Sequence, residues 1–78
     1  MRARIFVTLK DGVLDPQGLA IQGALGALGF TGVRSVRQGK IFDIQLADGP
    51  GAETQLKSMC EKLLANSVIE DFRVELLD

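Results

Sequence analysis

From Arg2 to Lys10 the chain alternates, with Ala3, Ile5, Val7 and Leu9 on one side and Arg2, Arg4, Phe6, Thr8 and Lys10 on the other. A period of two predicts a strand with one strongly apolar face. Lys10-Asp11-Gly12 breaks the pattern, and Asp15-Pro16 then opens a helix. The Asp side chain can accept an orphan N–H there, and Pro at the first helical position forfeits no hydrogen bond. Ala20, Ile21, Ala24, Leu25 and Leu28 recur at helical spacing and predict a single apolar stripe, with Gly29 as its stop. Gly23 and Gly26 lie inside this helix, where each costs about 1 kcal/mol relative to Ala, a cost that suggests close approach by another backbone or helix.

Two β-rich runs, Val33–Arg37 and Lys40–Ala47, flank Gln38-Gly39 and predict a hairpin. Asp48-Gly49-Pro50-Gly51 is turn chemistry that introduces a second helix. Its stripe is Leu56, Met59, Cys60, Leu63 and Leu64, opposite Lys57, Ser58, Glu61 and Lys62, and Asn66 is its predicted left-handed stop. Val68–Leu77 forms the last strand, with Phe72, Val74 and Leu76 on one face. The order β-α-β-β-α-β predicts an α+β chain of the ferredoxin-like kind: a four-stranded antiparallel sheet with two helices on one face, in a single domain over residues 1–78. The other face would keep Phe6, Thr8, Ile41, Val36 and Leu77 among Arg4, Asp43, Gln45 and Glu75, which makes it a candidate interface.

Composition narrows the chemistry. A chain of 78 residues supports one small core, and a self-contained multi-step enzyme is not expected. A net charge of −1 lacks the clustered basic excess of a nucleic-acid binder. With no His and one Cys, a Cys/His zinc site, a Ser-His-Asp triad and a Cys–His pair are all excluded. The lone thiol suits a reducing compartment. No run approaches the roughly 20 apolar residues of a membrane span, and the N-terminus has no secretory pattern, so a cytoplasmic chain is expected.

Cys60 lies within an apolar stripe and reads as a core residue. Glu70 and Asp71 are adjacent on a strand and so point to opposite faces, poorly placed to act as an acid–base pair. No nucleotide-binding glycine pattern follows a strand. No catalytic residue, cofactor ligand or metal ligand is assigned. Two connections carry more chemistry than turns need. In Leu9–Gly18, helix capping explains Asp15, Pro16 and Gly18 but leaves Gln17 unexplained; Lys10 and Gln17 also sit near a helix N-terminus, where backbone N–H groups can hold an anion. In Val36–Lys40, Arg37 and Lys40 flank Gly39 at a charged tip that is either simply solvated or docks an acidic partner.

At these residues the chain resembles the PurS family, the small subunit of phosphoribosylformylglycinamidine synthase in purine biosynthesis. The resemblance is carried by Leu9–Gly18, Ala24–Phe30, Val33–Lys40 and Cys60–Phe72, and it covers the whole chain in order. Ser67 departs from the family, which often has Pro after the Asn, and that bears only on the rigidity of the turn. The resemblance implies a non-catalytic component of an ATP- and glutamine-dependent ligase. Such a chain dimerises and bridges a large synthetase, which carries ATP and magnesium, to a glutaminase that releases ammonia. Lys10, Asp15, Pro16, Gln17, Gly18, Arg37, Gly39 and Lys40 are then the expected partner contacts, with Phe6 and Ile41 at the dimer face. A different class, a dimeric small-molecule-sensing regulatory module, shares the fold. An acyl-phosphate hydrolase of similar fold would want an Arg in the loop after the first strand, where Lys10 stands instead. RNA binding would want Phe6 and Phe42 on one face, and alternation separates them.

Overall fold

The alternating strand lies at the centre of the molecule. A computed structural model describes residues 1–77. It shows β1 (Arg2–Leu9), α1 (Pro16–Ala27), β2 (Gly39–Gln45), α2 (Ala52–Met59) running on into a π turn (Cys60–Leu64), and β3 (Glu70–Leu76). The sheet is antiparallel with order β2-β1-β3. Ala3, Ile5 and Val7 are buried on its inner face with Leu56, Cys60 and Ala65 from the α2 segment. Phe42, Ile44, Phe72 and Val74 flank this cluster. Full burial of a side chain such as Ile5 or Leu56 contributes about 2 kcal/mol, so this small cluster is the stabilising centre.

The α+β class and the two helices agree with the pattern, but among the described residues the sheet has three strands and not four. Residues 33–37 form no strand. The segment is tied elsewhere: the Gln22 side chain donates to the Arg34 carbonyl at 3.2 Å, the Arg37 guanidinium donates to the Leu9 and Lys10 carbonyls, and the following Gln38 N–H donates to Asp15 Oδ2 at 2.8 Å. The predicted hairpin is therefore a strap that runs back along α1, and Val36 belongs to no sheet face.

The second departure is α1 itself. It does not lie on the sheet, and Gly18 is its one buried residue. With the strap it forms an arm, and the molecule measures 50 × 26 × 14 Å. Nor does α1 carry a single stripe. Leu19, Ile21 and Leu28 are all exposed, and no charged residue stands between Asp15 and Arg34. The space beside Gly23 and Gly26 is open, so the close approach inferred for them is not made within this chain. Gly29 does stop the helix, at φ +102°.

The second helix departs at its end. The Ala65 N–H donates to the Cys60 carbonyl, an i→i+5 closure that widens the last turn. This rotates Leu63 out of the stripe to 83% exposure, while Cys60 stays buried. Asn66 is not left-handed, since among the described residues positive φ occurs only at glycines. Its side chain instead accepts the Val68 N–H at 3.1 Å, and its carbonyl accepts the Ile69 and Glu70 N–H groups. Val68 and Ile69 are spent in that turn, and the strand starts at Glu70.

Candidate functional site

The two motif-bearing connections meet where the arm joins the sheet. Asp15 caps α1, its Oδ1 accepting the Gly18 N–H at 2.9 Å while Oδ2 accepts the Gln38 N–H from the strap. These two donors, Gln38 first, hold the Asp15 carboxyl below the usual carboxylate range. Gly18 is required beside it, because a Cβ there would collide with the Val36 carbonyl oxygen and lie 2.6 Å from Asp15 Oδ2. The Gln38 side chain donates to Gln17 Oε1 at 2.6 Å, which supplies the structural role that capping alone left open for Gln17.

Arg37 fastens the strap to the end of β1. Its guanidinium donates to the Leu9 carbonyl and, at 3.3 Å, to the Lys10 carbonyl, with Asp11 at 3.8 Å. Lys10 Nζ pairs with Asp71 at 2.8 Å on the outer side. On the inner side Lys40 Nζ reaches Glu70 at 3.9 Å across the central strand. Gly39 fits tightly, since a Cβ there would stand 2.6 Å from the Val7 carbonyl oxygen.

These elements enclose a cleft of about 320 Å³ lined by Val7, Leu9, Asp15, Pro16, Gln17, Gln38, Gly39, Lys40 and Glu70. Of the residues singled out in the sequence, Asp15, Pro16, Gln17, Gly39 and Lys40 line it. Gly18 is buried behind it, while Lys10 and Arg37 act at its back. Phe6 and Ile41 are elsewhere: they face each other across β1 and β2 on the outer face. Phe6 is half-buried under the Arg73 guanidinium, 4.1 Å from the ring centroid, and Ile41 is exposed. Sequence reasoning weighed Glu70 only as a poorly placed acid–base partner of Asp71 and Gln38 only as a turn residue, and placed neither in the site. The signal for Glu70 was present, because alternation puts this acid on the face of Phe72 and Val74.

The chemistry of the cleft is that of a shaped contact. Asp15 is engaged by two backbone donors, Lys40 by Glu70, and Gln17 by Gln38, so no paired nucleophile and base stands free there. Cys60 is buried in the core, and burial pushes its thiol up and away from reactivity. Among the described residues no group of three or more His, Cys, Asp or Glu could hold a metal, and no helix is long and apolar enough to cross a membrane.

Residues 2–78 match the family described as PurS, phosphoribosylformylglycinamidine (FGAM) synthase. The chain belongs to the PurS family. It is 49% identical over 73 residues to the phosphoribosylformylglycinamidine synthase subunit PurS of Mycobacterium leprae, a match covering 94% of this chain and 91% of the relative. The Bacillus subtilis PurS structure in a C2 crystal form superposes with a TM-score of 0.92 at 42% identity, covering 99% of this chain and 98% of that one. A chain in the structure of PurLQS from Thermotoga maritima matches with a TM-score of 0.81 at 29% identity, covering 97% and 95%. The protruding arm is therefore shared with PurS, since a match of 0.92 over nearly the full length leaves no room for α1 to lie elsewhere.

Proposed function

We propose that this chain is the non-catalytic bridging subunit of FGAM synthase, the ligase of purine biosynthesis that makes formylglycinamidine ribonucleotide with glutamine as nitrogen donor. The observation that carries the reading is the near-complete match to a chain of the PurLQS assembly. The site agrees with it: the polar groups at the arm base are paired with one another, as suits a surface that positions other chains.

In this reading a glutaminase partner releases ammonia, and a large synthetase partner, carrying ATP and magnesium, adds it to the activated substrate amide. Holding two active sites in register raises the rate by proximity and by limiting escape of ammonia into water, without new functional groups. The exposed members of the arm base, Pro16, Gln17, Gly39 and Lys40 with Lys10, are the partner contacts, and Asp15, Gly18 and Arg37 hold them in shape. Residues 1–78 act as one unit in a cytoplasmic complex. The chain self-associates as a homodimer, with the outer-face pair Phe6 and Ile41 as one contact surface. A four-stranded layer would then arise only if the 33–37 segment added to a sheet edge across an interface.

The test reconstitutes the three subunits and compares glutamine-dependent with ammonia-dependent turnover. Omitting this chain abolishes the first far more than the second. Equal activities with and without it would overturn the bridging role.

A further inference from the structure

We propose that α1 beyond Gly18 is not a stable helix in the isolated chain and forms only as the chain associates, so that folding of the arm and assembly are a single step. The proposal rests on the self-association reading above and adds its order of events. The arm is anchored at one end. At its base Asp15 accepts the Gly18 and Gln38 N–H groups, and Gly18 is buried. Past Gly18, and among the described residues, the helix makes one side-chain hydrogen bond, from Gln22 to the Arg34 carbonyl. Gln22 and Leu25 are half-buried there and the other helix residues are exposed. The second helix is different, since it buries Leu56 and runs on to buried Cys60.

The local terms all oppose the helix. Isolated helices shorter than about 12–15 residues are marginal in water even when Ala-rich, and α1 has 12 residues. Gly23 and Gly26 each disfavour it about fivefold relative to Ala. No charge stands between Asp15 and Arg34, so no ion pair four residues apart supports it. Its first turn has no acid and its last turn no base, so the helix dipole is not offset by charge. Helices in proteins gain most of their stability by packing an apolar face, yet Leu19, Ile21 and Leu28 are exposed on the single chain. The helix therefore draws its stability from outside the chain, and the cost of ordering it falls due at association. Separated chains keep a rigid sheet and a labile arm, so the joint comes apart without unfolding its core.

The test follows hydrogen exchange of the full chain by mass spectrometry across a dilution series from millimolar to micromolar, with light scattering for the mass. Amides of residues 21–28 are expected to lose protection about threefold for each tenfold dilution, the square-root dependence of a pair coming apart, while the β1 amides hold theirs. Exchange reports the separated chain even where it is a small fraction, so complete dissociation is not needed. In a chain that runs at twice its mass, α1 protection that is unchanged by dilution, or β1 protection that falls in step with it, overturns the proposal and leaves self-association standing. A chain that runs at its single mass throughout overturns the self-association reading instead. Its α1 amides then exchange freely and become protected when the synthetase and glutaminase are added; α1 protected in the single chain, or left unprotected in the three-subunit complex, overturns the proposal too.

Discussion

Asp15 and Gln38, 23 positions apart in sequence, are joined by a backbone N–H donated to a carboxylate oxygen at 2.8 Å. The other oxygen caps α1 at Gly18, so one side chain sets both where the helix begins and where the strap returns. Asp15→Ala removes both acceptors, and a melting temperature lower by about 5 °C is expected. Because the folded-state pKa lies below the ordinary value of 3.8, the stabilisation is complete above that value and is lost as pH falls through the folded-state pKa. Thermal melts of wild type and variant, taken from about pH 6 down to well below the ordinary carboxylate value, therefore draw together as the acid end is approached; a gap that stays constant would show that the carboxylate charge is not the cause.

Gly18→Ala tests the same junction by crowding it. The added methyl meets the Val36 carbonyl and the Asp15 carboxylate, so the strap must move away from the helix. Hydrogen exchange should speed up at the Gln38 amide while the β1 amides keep their protection. Unchanged exchange at Gln38 would mean the close approach is relaxed at no cost.

Leu63 offers a reversal of the sequence pattern. Helical spacing puts it in the core beside Cys60 and Leu64, yet the π turn leaves it exposed. Leu63→Lys is expected to change unfolding free energy by no more than about 0.5 kcal/mol, whereas Leu56→Ala costs about 3 kcal/mol. Urea titration of the two variants distinguishes the rotated register from a regular helix.

Cys60 should behave as a core atom. Its thiol is fully buried and pushed up by desolvation, so a thiol reagent at neutral pH leaves the native chain unmodified and labels it quickly in denaturant. Cys60→Ser places a hydroxyl in an apolar cluster and costs about 1–2 kcal/mol. Rapid labelling of the native chain would move Cys60 out of the core.

Arg37→Ala separates bridging from folding. The guanidinium ties the strap to the Leu9 and Lys10 carbonyls at the surface, outside the buried cluster. The variant is expected to remain folded by circular dichroism and to lose glutamine-dependent turnover of the reconstituted ligase several-fold, with ammonia-dependent turnover retained. An equal fall in both activities would place Arg37 in the synthetase chemistry and not in the joint.

Local structure was legible where it followed a regular period or simple helix-end chemistry. The alternation of Ala3, Ile5 and Val7 marked the central strand, Asp15-Pro16 the helix start and Gly29 its end, and the two helix boundaries lie in segments that carried the likeness to PurS. What sequence periodicity could not decide was where those elements go. Whether residues 33–37 pair with β2 or follow α1 turns on the Asp15–Gln38 and Gln22–Arg34 hydrogen bonds, which form only once the chain has folded back. Whether Leu63 lies inside or outside turns on one i→i+5 bond, since hydrophobic spacing assumes a regular helix. The uncharged stretch that became α1 was visible in the sequence, but a hydrophobic pattern says only that a surface must be covered, not by what. That α1 stands off its own sheet was decided by the tertiary structure, because the hydrogen bonds at the base of the arm direct the helix outward against its preference for burial.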